Sequence, residues 1–217
     1  MRHSGEVRTR VPRAVREQEM LAVAEAAFAQ RGYDAVSMQD IAVRCGISKP
    51  MVYAYFGSKE GIYLACIERA RRDLYDSVLR AVGQSKKPDE RLWLGTLAFF
   101  GWVDQNGESY RVLYGPGSVH GEAIAAAISR LRGDQAKLIE QLLAESVAAP
   151  DGDLEATAHA LVGAAESLAA WWVGSDEPVE RIARRFMSLC WTGLGAMSEG
   201  RSWAPASGDG RSRAARG

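Results

Sequence analysis

Apolar residues recur at helical spacing along nearly the whole chain, and no stretch alternates apolar and polar residues as a β-strand would. In the first segment, about residues 14–31, Leu21, Ala24 and Phe28 share one helical face, and Gly32 follows as a residue suited to a helix C-terminus. Gly, Pro and Ser separate the later segments, which predict helices at about 37–46, from Ser48 onward, and at 58–82, 89–105, 108–114, 121–147, 153–173 and 178–198. We therefore expect an all-α fold of about nine helices.

The same segments suggest how the chain divides into domains. Residues 1–12 form an Arg-rich arm, and residues 201–217 form a Gly, Ser, Ala and Arg tail with too few apolar residues to pack. We expect both ends to be flexible. Between them we expect a three-helix domain at 13–60 and a larger helical domain at 61–200, because 217 residues with 47% hydrophobic content can bury a sizeable core.

Charge and cysteine content restrict the environment of the protein. Lys plus Arg and Asp plus Glu both total 27, so any basic surface must be local. Cys45, Cys66 and Cys190 are far apart and follow no metal-binding pattern, so we expect reduced thiols in a reducing compartment. The apolar run from Leu92 to Val103 is shorter than the roughly 20 residues of a membrane span. Since the charged N-terminus leads into no secretory segment, we expect a cytoplasmic protein without membrane contact.

Residues 37–63 contain two short helical segments joined by Gly46. Such a pair forms a helix-turn-helix, whose second helix can enter the major groove of DNA. On a helical wheel Val52 and Phe56 turn toward the preceding helix. Lys and Tyr on the outward face can bind phosphates, and small apolar groups there can contact thymine methyl groups. Spacing alone leaves an alternative to DNA binding open, in which Tyr53, Tyr55 and Phe56 only pack between helices and Lys49 and Lys59 are ordinary solvated charges. The outward face consists of Lys49, Pro50, Met51, Tyr53 and Ala54.

A family resemblance favours the DNA-binding alternative. Its ordered parts are Ser37-Met38-Gln39-Asp40-Ile41-Ala42, Cys45-Gly46-Ile47-Ser48-Lys49, Val52-Tyr53-Ala54-Tyr55-Phe56 and Ser58-Lys59-Glu60. This string, within about residues 14–65, closely resembles the DNA-binding region of TetR/AcrR-type transcriptional regulators. The resemblance implies an all-α dimer with an N-terminal helix-turn-helix domain and a divergent C-terminal domain for ligand binding and dimerisation.

The resemblance also implies roles for single residues. Positions that contact phosphates in the family are occupied here by Ser37, Lys49, Tyr53, Tyr55 and Lys59, and Pro50, Met51 and Ala54 fall on its base-facing surface. Further candidates for DNA contact in this chain are Ser48, Arg44 and the N-terminal Arg residues. The chain departs from the family at Pro50, Met51 and Ala54, where Gly or Ala, a hydroxyl residue and a larger polar residue are common. We therefore expect few direct hydrogen bonds from this helix to bases.

The last two helices are the candidates for a dimer interface. One helix-turn-helix reads only a few base pairs, so a palindromic operator is normally read by a homodimer. Small residues in 153–173 and an apolar stripe in 178–198 could pair with a symmetry mate as a four-helix bundle. The alternative is that both helices belong to the core of the subunit. The predicted interface residues are Leu161, Ala165, Leu168, Ile182, Phe186, Leu189, Gly193 and Met197.

Aromatic residues concentrate in the middle of the chain, and a mostly apolar cavity with a few polar groups is typical of a small-molecule site. We predict a pocket lined by Trp102, Tyr110, Tyr114, Glu166 and Trp171. Three unclustered histidines give no metal site, and we expect no cofactor.

Two other classes of protein compete with a regulator. The loop 115–121 is superficially similar to a nucleophile elbow, but Pro116 and His120 stand where that motif needs glycines, so an enzyme is not favoured. A helical protein-interaction module without DNA binding remains open. We predict a ligand-responsive transcriptional repressor that an unknown small-molecule effector releases from its operator.

Overall fold

The computed structural model describes residues 12–115, 120–145 and 153–198, and every regular element in these ranges is an α-helix. The all-α prediction is therefore confirmed. The predicted N-terminal arm, except Pro12, and the predicted tail lie outside the described residues. The helices are α1 (Arg13–Ala35), α2 (Met38–Arg44), α3 (Lys49–Phe56), α4 (Lys59–Val82), α5 (Pro88–Gln105), α6 (Gly107–Tyr114), α7 (Gly121–Ala144), α8 (Asp153–Trp172) and α9 (Val179–Ser198).

Local sequence explains where the first helices begin and end. Gly32 has φ 78° and interrupts α1 just before its last turn, as its lack of a Cβ allows. Ser37 and Asp40 form a capping box at the start of α2. The Ser58 hydroxyl accepts a hydrogen bond from the Gly61 N–H at the start of α4. Ser48 occupies the corresponding position of α3, but its side chain makes no capping hydrogen bond.

Helix α4 lies at the centre of the subunit. It packs against α1 and α6 near its start and against α5 and α7 farther along. Its residues Ile67 and Leu74 are almost completely buried. On the far side of α5, the Phe100 ring meets the rings of Trp172 and Phe186 edge-on, each at a centroid distance of 6.0 Å. One continuous core therefore connects the helix-turn-helix to the C-terminal helices.

The cysteines are free thiols, as predicted. Cys66 and Cys190 are buried, and burial raises the pKa of Cys66 well above its ordinary value. Burial also raises the pKa of Cys190 to about 11, so both thiols stay protonated and unreactive at neutral pH. None of the helices in the described ranges has the length and apolar character needed to cross a bilayer.

Candidate DNA interface and ligand cavity

The corner between α2 and α3 is built from apolar side chains around one glycine. Ile41, Ala42 and Val52 are completely buried. Gly46 has φ +64°, and the following Ile47 N–H donates to the Ala42 carbonyl at 3.0 Å. The chain can reverse here because glycine tolerates this left-handed conformation. The predicted core side of α3 is thereby confirmed at Val52.

The opposite side of α3 is exposed. Met51 and Tyr53 are 42% and 43% exposed, and Lys49, Pro50 and Ala54 are also exposed. The Lys49 Nζ lies 5.9 Å from the centroid of the Tyr53 ring. This surface carries one cation, one phenol and three apolar groups, which suits phosphate contacts at its edge and apolar contacts at its centre.

Ser37 and Ser48, the predicted hydroxyl contacts at the starts of α2 and α3, differ in whether the hydroxyl is already hydrogen-bonded within the protein. The Ser37 hydroxyl donates to Asp40 Oδ2 at 2.6 Å and accepts from the Asp40 N–H at 3.2 Å. The pKa of Asp40 is lowered mainly by its hydrogen bonds from Ser37. The positive charge of Arg31, 3.6 Å from Asp40 Oδ2, lowers it further. The Ser48 hydroxyl is exposed and uncommitted to a cap. Arg44 is exposed in the last turn of α2.

Lys59 and Tyr55 are held by intramolecular contacts that the sequence did not indicate. The Lys59 Nζ donates to the Asp34 carbonyl at 3.2 Å and lies 4.4 Å from the centroid of the Tyr33 ring. Tyr55 is half-buried against the core, with the Arg13 guanidinium 4.7 Å from its ring centroid. Their contacts with phosphate remain predictions, and any such contact uses only the part of each group that these partners leave open.

Val43 was missed as a surface residue of the helix-turn-helix. It is 67% exposed on α2, although valine normally turns inward. The signal was present in the wheel of α2: Ile41 and Ala42 define the core side, so the next residue turns away from it.

A cavity lies between α4, α5, α7, α8 and α9. The space open to the centre of a water-sized sphere is about 90 Å³. Its surface is mostly apolar, with polar groups from Arg71, Tyr75, Thr96, Asp134, Gln135 and Glu166. The apolar lining includes Leu74, Val78, Leu92, Phe99, Phe100, Leu131, Leu138, Ile139, Leu142, Leu161, Val162, Ala165 and Phe186.

Only one of the five predicted pocket residues lines this cavity. Glu166 does so, and its ion pair with Arg132 Nε at 2.9 Å opposes the effect of burial, which raises its pKa. The Tyr114 hydroxyl donates to Gln135 Oε1 at 3.3 Å and so lies behind the lining. Tyr110 packs on Tyr114 with ring centroids 5.3 Å apart.

The two tryptophans predicted for the pocket lie elsewhere. Trp102 is buried in the core and is not part of the cavity surface. The prediction for Trp171 was wrong, because its side chain is 65% exposed. Its neighbour Trp172 turns inward instead, and its Nε1–H donates to the Glu177 carbonyl at 2.8 Å. Successive residues on a helix lie about 100° apart, so only one of the pair can face the core.

The predicted dimer residues also divide between different surroundings. The prediction of Leu161, Ile182 and Phe186 as interface residues was wrong, because all three are buried within the subunit. Leu161 of α8 lines the cavity, and the apolar stripe of α9 that contains Ile182 and Phe186 packs on α5. Ala165 lines the cavity, and Leu168 is partly buried against the core.

The remaining dimer candidates belong to α9. Leu189 is 73% exposed. Gly193 and Met197 lie in α9, but their surroundings fall outside the described part of the structure. Trp191, which the sequence did not single out for the interface, is 48% exposed, but it comes two residues after Leu189 and so lies on nearly the opposite side of α9.

Comparisons with known proteins decide the family. The sequence model described as "Bacterial regulatory proteins, tetR family" matches residues 20–66, and the model "Tetracyclin repressor-like, C-terminal domain" matches residues 88–193. A TetR-like transcriptional regulator from Rhodococcus sp. RHA1 is 36% identical, with a TM-score of 0.74 over 86% of this chain and 99% of that chain. The chain belongs to the TetR family of transcriptional regulators. The predictions of family, fold and DNA-binding regulatory function are confirmed.

Other TetR-family relatives span most of the chain. The transcriptional activator FasR of Mycolicibacterium smegmatis is 29% identical over 192 residues, which covers 85% of each protein. The structure of AibR in complex with isovaleryl coenzyme A and operator DNA has a TM-score of 0.67, covers 80% of this chain and 97% of its own, and is 22% identical. At that identity the likeness shows the shared fold.

Proposed function

We propose that this TetR-family regulator is a cytoplasmic homodimer that binds a palindromic operator and is released when a small molecule occupies the cavity. The observation that carries the proposal is the course of α4. This helix begins two residues after Gly57, which ends α3, and its residues Leu74 and Val78 line the cavity. A ligand that displaces α4 therefore acts on the helix that directly follows α3, the recognition helix of the helix-turn-helix. The ligand must bind the two states unequally, by about 1–3 kcal/mol for a typical coupling.

Exposed apolar side chains on α8 and α9 support the dimer. Trp171 and Leu189 are 65% and 73% exposed. Between them and the start of α8, Ala160 and Gly163 are exposed small residues that allow another helix to approach closely. Apolar groups of this size on neighbouring helices are typical of a protein interface. We propose that a second copy of the chain covers them, so that two recognition helices face one operator.

We propose an effector with an acyl chain. The cavity surface is mostly alkyl and phenyl groups, which favour an apolar ligand. The names of structural relatives agree with this class: one is a fatty acid degradation regulator from Bacillus halodurans, with a TM-score of 0.75 and 16% identity, and AibR was crystallised with isovaleryl coenzyme A. These names describe those proteins and motivate the choice of ligands to test.

The experiment begins with duplexes selected from a randomised pool by the full-length protein. Fluorescence anisotropy then measures binding of the selected duplex with and without octanoate, dodecanoate, hexadecanoate and their coenzyme A thioesters. We expect at least one probe to weaken operator binding about fivefold to 150-fold, as the coupling energy above implies. Unchanged operator binding with every probe would contradict the acyl class while leaving DNA binding established.

The name of the FasR relative favours activation as the second candidate. A reporter gene under the control of the selected operator distinguishes the two. Repression predicts that removing the regulator raises transcription, whereas activation predicts that its removal lowers transcription.

A further inference from the structure

The charged side chains of the cavity lining lie at one end, and the other end is mostly apolar. Thr96, beside Gly95 at that other end, donates its hydroxyl hydrogen to the Met187 sulfur at 3.6 Å. At the charged end, Arg71 of α4 pairs with Asp134 of α7 at 2.9 Å, and Glu166 of α8 pairs with Arg132 of α7 at 2.9 Å. These contacts place the lining groups Arg71, Asp134 and Glu166 at the same level of three helices.

The other end lies farther along the same helices. Val78 comes seven residues after Arg71 on α4, and Leu142 comes eight residues after Asp134 on α7, so each lies about 10–12 Å farther along its helix. Gly95 of α5 completes this end, where α4 and α5 pack closely: a Cβ placed on it would lie 3.1 Å from Val82 Cγ2 and 3.8 Å from Val78 Cγ1.

Arg71 binds two carboxylates, Glu68 and Asp134, and only Asp134 can separate from it easily. Its Nε and one terminal nitrogen donate to the two Glu68 oxygens at 2.9 and 2.8 Å, and its other terminal nitrogen donates to Asp134 at 2.9 Å. Glu68 lies on the same helix three residues earlier, so it moves with Arg71. Asp134 lies on another helix and its side chain is 45% exposed, so water can solvate it when it is released.

We propose that an oxygen of the effector's head group, a carboxylate or a thioester carbonyl, replaces Asp134 on Arg71 while the alkyl chain extends toward Gly95 and Leu142. This inference rests on the proposed acyl class of ligand. Arginine suits the role because it stays charged and donates from a planar group to an oxygen acceptor. Loss of the Arg71 to Asp134 contact also removes a direct link between α4 and α7, which connects ligand binding to movement of α4.

Two variants and a matched control test the head group by isothermal titration of full-length protein with dodecanoate and dodecanoyl coenzyme A. Asp134→Asn removes the competing charge, so we expect about fivefold to tenfold tighter binding of whichever probe engages Arg71. Arg71→Gln should weaken that probe at least tenfold. Glu145→Gln breaks a comparable ion pair with Arg91 just beyond the end of α7. Neither residue lines the cavity, so this variant should leave binding unchanged.

The two probes separate the possible sources of the head group. If both cavity variants change the affinity for dodecanoate, the effector is a free carboxylic acid. If they change the affinity for dodecanoyl coenzyme A, the effector is an acyl coenzyme A thioester. Probe binding that is unaffected by Asp134→Asn and Arg71→Gln overturns the head-group assignment alone. If neither probe binds to wild-type protein that still binds its operator, the acyl class and this inference both fail.

Variants at the apolar end of the cavity test the direction of the ligand's alkyl chain. Leu142→Trp should shorten this end, so hexadecanoate should lose at least tenfold in affinity while octanoate is unaffected. Val78→Leu enlarges a cavity-lining side chain at the same end by one carbon and provides a milder variant with the same expected order, in case the larger side chain impairs folding. Equal losses for both chain lengths in both variants would overturn the proposed direction.

Discussion

Glu25 allows a quantitative test of the packing between the two halves of the protein. This α1 residue is 4% exposed, and its Oε1 has no hydrogen-bond partner. Oε2 lies 3.7 Å from an Arg69 nitrogen of α4. Burial raises the pKa of Glu25 from 4.5 to about 7, while attraction from Arg69 and a hydrogen bond with Ser109 of α6 oppose the shift. Glu25→Gln preserves the shape and removes the charge.

The sign and magnitude follow from linkage. The folded protein binds the Glu25 proton more tightly than the unfolded chain does, so this contribution to stability is complete below about pH 4.5 and is lost as the pH rises through about 7. The difference between the two pKa values corresponds to about 3 kcal/mol at 1.36 kcal/mol per pH unit. Asp73 of α4 and Glu108 of α6 act in the same direction as burial, because their negative charges oppose ionisation of Glu25.

Urea denaturation of the wild type and Glu25→Gln at pH 5 and pH 8, at one protein concentration, measures this contribution. Because part of the contribution is already lost at pH 5, we expect the stability difference to shift by about 2–3 kcal/mol in favour of the variant between pH 5 and pH 8. Glu19→Gln, an exposed position of the same helix, should show little pH-dependent difference. If the stability difference between wild type and Glu25→Gln is the same at both pH values, Glu25 does not titrate in this range and the burial argument is refuted.

Three further predictions concern the DNA surface, the interface and the turn. Lys49→Ala should weaken operator and random DNA alike and reduce the salt slope of binding by about 1, measured by anisotropy at several salt concentrations; an unchanged slope excludes a phosphate contact. Leu189→Glu should halve the molar mass in analytical ultracentrifugation, whereas Glu180→Gln, exposed earlier on α9, should not. Gly46→Ala should lower stability by about 1 kcal/mol or more, measured by urea denaturation, since φ is +64° there; equal stability would show that the turn relaxes without cost.

The helices were predictable because their boundaries depend on neighbouring residues. Gly32, Ser37, Ser58 and Pro88 lie at or next to observed helix boundaries or breaks. The outward face of α3, which carries the predicted phosphate and base contacts, could also be predicted from nearby residues. Burial of Val52 determines which residues of this short helix face outward.

The cavity and the interface required information about which helices become neighbours. The stripe containing Ile182 and Phe186 has the spacing of any apolar helix face, and spacing cannot distinguish a partner within the subunit from one in a second copy. In the structure this stripe packs on α5, whereas Leu189 is exposed. Glu166 could be identified from the sequence because it is a polar residue within an apolar helix. Arg71 could not, because its sequence context is that of an ordinary surface charge and its partner Asp134 lies on another helix.

The contacts between α4 and the rest of the protein connect the cavity with the DNA-binding surface. Before Arg71 along α4, the Tyr63 hydroxyl donates to the Val112 carbonyl of α6 at 3.2 Å, and Arg69 approaches Glu25 of α1. All three positions lie within about 12 Å along one helix, over which a helix moves nearly as a rigid body. A displacement of α4 at Arg71 must therefore also change its contacts with α1 and α6. Because the Glu25 contact is long and incompletely satisfied, it can rearrange at lower cost than the surrounding apolar core.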